Sequence, residues 1–139
     1  MKKIIILFSS FFLISCHHQQ LSHKYLLQHP VELAHEVEYC YSTRQPDEAY
    51  CLMIKRTEED FIGLSNVRQS NPEQFGQQIL TSQRRLSELQ IALQKAHEKF
   101  APGAAELAAA ELAYGEEVEK VNILLAVVRA TSVKNDVEQ

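Results

Sequence analysis

Residues 75–128 read FGQQILTSQRRLSELQIALQKAHEKFAPGAAELAAAELAYGEEVEKVNILLAVV, and this stretch decides the fold. Phe75, Ile79, Ser82, Leu86, Leu89, Leu93, Ala96 and Phe100 recur at steps of four and three. That spacing places one seam along a helix for more than three heptads, with Ser82 as its weak point. Ala101-Pro102-Gly103 then breaks the helix. Leu107, Tyr114, Val118, Val121, Leu125 and Val128 resume the pattern with steps of seven, four and three. Two long helices joined by a short link predict an antiparallel helical hairpin over residues 72–133, each arm about 40 Å long. Val121 to Val128 is apolar almost all round, yet eight residues are too few to span a bilayer. The run is expected to be buried against the other arm and the preceding module, or used in oligomerisation. Early in the second arm, Ala104, Ala105, Ala108 and Ala109 with Ala110 leave a smooth stretch that another backbone can approach. They are the candidate interaction residues; a surface of merely high helix propensity is the favoured reading of the same alanines.

Upstream, residues 25–70 predict a smaller helical module. Pro30 suits the first turn of a helix, and Glu32 complements the positive end of its dipole. Leu33, Val37 and Cys40 share a face, and Val31, Ala34, Val37 and Tyr41 follow similar spacing. Residues 42–47 (STRQPD) make a turn, with Pro46-Asp47 as the breaker. A second helix is expected over residues 48–69, with Cys51, Ile54, Glu58, Phe61 and Leu64 on one stripe. Asn71-Pro72 ends it. The fold class is therefore all-α: a short helical module followed by a long hairpin, with a frayed tail over residues 134–139.

The amino end carries different information. Met1, Lys2 and Lys3 precede an apolar run from Ile4 to Ile14 of about 11 residues, the layout of a secretory signal and about half of what a bilayer core requires. The run closes on Leu13-Ile14-Ser15-Cys16, which resembles a bacterial lipobox. The resemblance implies cleavage after residue 15 and a lipid on Cys16, so that the protein meets a membrane through acyl chains rather than a spanning helix. His17 follows, where Asp would signal inner-membrane retention in well-studied Gram-negative bacteria, so the expected location is the outer membrane. Residues 16–24 read as a flexible lipidated tether, and His17-His18 as spacer rather than a metal site.

Three cysteines are present in the sequence. With Cys16 taken by lipid in an oxidising compartment, Cys40 and Cys51 are expected to pair and to staple the module's two helices. A loop of about 12 residues closed in this way is worth about 3 kcal/mol. The absence of CxxC spacing argues against a redox pair. A metal site recruiting His29 or His35 lacks a second pair of ligands at zinc spacing.

The formal net charge of −4 becomes −6 without Lys2 and Lys3. Such an acidic chain has no electrostatic footprint for nucleic acid. No nucleophile motif, phosphate loop or HExxH helix occurs, and no cofactor, metal or small-molecule substrate is indicated. Glu58, Glu59 and Asp60 are consecutive and fan around a helix, as do Glu116, Glu117 and Glu119, so neither set converges as an acid–base pair. The expectation is a protein that is not an enzyme and works by contact with an envelope protein.

Tyr25, the run His29-Pro30-Val31-Glu32-Leu33, Cys40 and Cys51 resemble the core of the small EexN lipoproteins, which pair a lipobox and polar tether with such a segment. About 40 residues carry this resemblance, and the hairpin from Phe75 onward has no counterpart in that family. The resemblance implies a binding protein of the cell envelope that excludes redundant plasmid uptake in conjugative type IV secretion systems. The hairpin suits instead a structural subunit of a type IV secretion outer-membrane complex. A periplasmic hydrolase or lysozyme inhibitor would need a plug for a cleft, for which residues 42–47 are the sole candidate loop.

Overall fold

In the computed structural model, residues 20–136 are described, with side chains to residue 132. They form five helices and no strand: α1 (His23–Gln28), α2 (Pro30–Ser42), α3 (Glu48–Ser70), α4 (Pro72–Lys99) and α5 (Ala105–Asp136). The all-α expectation holds, with a disulfide-linked module followed by two long helices packed against each other.

Each boundary has a local cause. The Ser22 hydroxyl accepts from the Tyr25 amide to open α1, and Pro30 occupies the first turn of α2. Asp47 caps α3 through the Tyr50 amide, and Asn71 caps α4 through the Gln74 amide. These side chains satisfy amides that a helix start otherwise leaves without partners. Between α4 and α5 the chain turns through Gly103 at φ +87°, a left-handed conformation that glycine adopts without a Cβ clash.

The α4 seam follows its predicted positions. Phe75, Ser82 and Ala96 are buried, and Ile79, Leu86, Leu89, Leu93 and Phe100 are half-buried, whereas Leu80 and Ile91 face solvent. On α5, Leu107 and Val121 are buried, and Tyr114, Val118, Leu125 and Val128 are half-buried. Across the arms Arg85 meets Glu117 at 3.4 Å and His97 meets Glu111 at 3.9 Å, in keeping with an antiparallel register.

Two clusters of buried side chains stand out in the core. Leu26, Leu33, Tyr50 and Ile54 form one, with Leu21, Val37, Cys40, Met53 and Phe61 packed around them. Phe75, Leu124 and Val127 form the other, joined by Phe61, Leu64, Ile79 and Val128. Phe61 thus belongs to both. The apolar run near the end of α5 is buried because α4 covers one side while α1 and α3 cover another.

Three expectations need correction. Residues 20–24 are not part of a tether: Leu21 packs into the first cluster and His23 begins α1. On α2 the second proposed stripe fails, since Val31 and Tyr41 are 66% and 80% exposed and the buried partner of Leu33 is Glu36. Finally, the helix of α5 continues through residues 134–136, which were expected to fray. The signal, Cys16, His17 and His18, and residues 137–139, lie outside the described residues.

Candidate functional site

The densest polar network lies where the amino-terminal arm meets the α2–α3 turn. Cys40, near the end of α2, is bonded to Cys51, in the first turn of α3, with their Cα atoms 5.6 Å apart. Beside this staple, the Tyr50 hydroxyl donates to Glu36 Oε2 at 2.8 Å and accepts the Leu21 amide proton at 3.2 Å. Gln20 Nε2 donates to Asp47 Oδ2 at 3.0 Å, while Asp47 Oδ1 accepts the Tyr50 amide at 2.9 Å. One short span of α3 therefore fixes the arm, the turn and the buried Glu36 carboxylate together.

Electrostatics follow from these contacts. Burial pushes the Tyr50 hydroxyl above its ordinary pKa, and the Glu36 carboxylate adds to the shift while the Leu21 amide opposes it. The Tyr50 amide holds the Asp47 carboxyl below the usual range, and Gln20 works in the same direction. Further along the arm, a hydrogen bond to Glu119 holds the Lys24 ammonium above its ordinary value, tying α1 to α5.

His23, Thr57 and Asp60 come together in a way that invites a catalytic reading. His23 Nδ1 lies 2.8 Å from Thr57 Oγ1, and its Nε2 lies 3.5 Å from Asp60. Thr57, however, is wholly buried and its hydroxyl donates to the Met53 carbonyl at 2.8 Å. With that proton committed, the imidazole donates to Thr57 rather than removing its proton, and no substrate can reach the oxygen. The group locks α1 onto α3.

The remaining sequence candidates separate. His29 Nδ1 lies 2.7 Å from the Tyr25 carbonyl, and its ring stacks on Tyr25 at 3.9 Å. His35 is exposed on α2. The disulfide consumes both thiols that a metal site would need, and no group of three or more metal-binding side chains occurs among the described residues. Next to the disulfide lies a hollow of about 150 Å³ lined by Val37, Cys40, Tyr41, Cys51, Ile54 and Lys55 among others, below the size of ordinary ligand pockets. At the far end of the hairpin, Ala105, Ala108 and Ala109 are exposed and Ala104 is half-buried. Leu112 continues that face at 65% exposure. No described helix is long and apolar enough to cross a membrane.

Comparison with protein-family models, curated proteins and solved structures found no match.

Sequence reasoning placed the disulfide but missed Tyr50, Thr57 and His23. The first two were legible in part: Tyr50, Ile54, Thr57, Phe61 and Leu64 run at steps of four, three, four and three. That stripe competes with the one through Cys51 and Glu58, and the side carrying Tyr50 and Thr57 is the more deeply buried. Nothing local marks His23, whose partners are 34 and 37 residues away.

Proposed function

We propose that this chain is an exported envelope lipoprotein, anchored by a lipid on Cys16, that acts through protein–protein contact. The observation that carries the reading is the division of its three cysteines: Cys40 and Cys51 are joined, and the remaining one stands in a lipobox-like Leu-Ile-Ser-Cys. A structural disulfide is characteristic of oxidising compartments, which agrees with the signal-like amino end. Mass analysis of protein from the native host tests it. The expected product begins at an acylated Cys16 and carries no free thiol; an intact Met1 with three free thiols would overturn it.

Within that frame, the resemblance of residues 25–51 to EexN lipoproteins supports a role in excluding redundant conjugative uptake. Deleting the gene should then raise uptake of the cognate plasmid and leave secretion unchanged. The hairpin favours a second reading, a structural subunit of a type IV secretion outer-membrane complex, with the face of Ala105, Ala108, Ala109 and Leu112 as the contact. Stoichiometric co-purification with the apparatus, lost on substituting Ala108 and Ala109 by Glu, would select that reading. The location proposed in both cases is the outer membrane.

A further inference from the structure

We infer that the α2–α3 turn, residues 43–47, is the surface of the protein that faces the phospholipid headgroups of its own membrane. The inference rests on the proposed lipid at Cys16. Leu21 is fixed to the body by the Tyr50 hydroxyl and by packing, and Gln20 is bonded to Asp47 in the turn itself. Only residues 17–19 separate Gln20 from Cys16. Whatever path they take, four Cα steps reach at most about 14 Å. The acylated residue belongs at the headgroup level, so the turn is confined to a shallow layer above it.

The turn is suited to that place. Arg44 and Gln45 are exposed, and among the described residues Arg44 makes no ion pair, leaving its guanidinium available to lipid phosphate. Asp47 is already committed to Gln20 and the Tyr50 amide. The short covalent link, rather than charge attraction, is what keeps the turn close to the headgroups.

The test uses full-length acylated protein in vesicles of phosphatidylethanolamine and phosphatidylglycerol doped with a nickel-chelating lipid. Since lipid and disulfide occupy the native cysteines, Gln45→Cys and Gln69→Cys each provide a unique site for a nitroxide. Gln69 lies near the other end of α3, about 33 Å from the turn. Relaxation by headgroup nickel is expected to be several-fold stronger at position 45 than at 69. It should fall when about twelve Gly/Ser residues, spanning roughly 20 Å, are inserted between Gln19 and Gln20. Equal relaxation at the two sites, or no change on insertion, in protein shown by mass to be acylated overturns this inference alone. Absence of acylation overturns the anchor and this inference together.

Discussion

Tyr50 joins three parts of the chain through one oxygen, so its removal tests the junction most directly. Tyr50→Phe leaves the Leu21 amide and the buried Glu36 carboxylate each short of a partner, for an expected loss of about 1–3 kcal/mol in denaturant unfolding. The same residue gives a pH signature. Because its folded pKa lies above the ordinary value of 10.0, the unfolded state ionises first as pH rises. Its contribution is therefore complete below about pH 10 and is lost as pH climbs toward the folded value. The alkaline limb of stability against pH should be shallower in Tyr50→Phe than in the parent. Ser82 is the opposite case: its hydroxyl is buried in the hairpin with no hydrogen-bond partner among the described residues. Ser82→Ala removes that unsatisfied group with little change of volume. It should match or exceed the parent, by up to about 1 kcal/mol, in the same unfolding experiment.

At the scale of elements, the caps and the staple add to what the core supplies. Reducing the disulfide, or replacing Cys40 and Cys51 together by Ser, should lower unfolding free energy by about 3 kcal/mol. Circular dichroism would show whether α2 separates from α3 before the rest unfolds. Asn71→Ala removes the cap between α3 and α4, an expected loss of about 1 kcal/mol in thermal or denaturant melts. These elements were largely legible in the sequence, because a four-three repeat, a Pro-Gly break and Asx caps are local signals. The α4 seam emerged position for position, including its polar Ser82. Less was legible where a helix touches two neighbours. Val121 to Val128 is apolar on several sides, so periodicity could not say which side met α4 and which met α1 or α3. The stripe through Val31 and Tyr41 failed for a related reason. α2 is narrow in its burial and offers α3 a single line, Leu33, Val37 and Cys40, with Glu36 drawn inward by a tyrosine 14 residues away. The polar junction itself rests on pairings between distant residues, for which spacing gives no sign.

For the whole molecule, the shared position of Phe61 and the triple covering of α5 argue that module and hairpin are one cooperative unit rather than two beads on a string. Leu124→Ala should therefore destabilise both, by about 2–5 kcal/mol. Amide exchange should quicken in α3 as well as in α4, and quickening confined to the hairpin would show the halves to be independent. The residues that close the second cluster, Leu124 and Val127, come near the end of the described chain, whereas Phe61 and Leu64 come near its middle. During synthesis the ribosome delivers α3 and α4 long before the side chains that cover them. A chain stopped before Leu124 would leave Phe75 and Leu64 without the side chains that cover them, and would expose the side of Phe61 that faces the second cluster. Burial of Leu64 and Phe75 thus waits on two aliphatic side chains in the second half of α5.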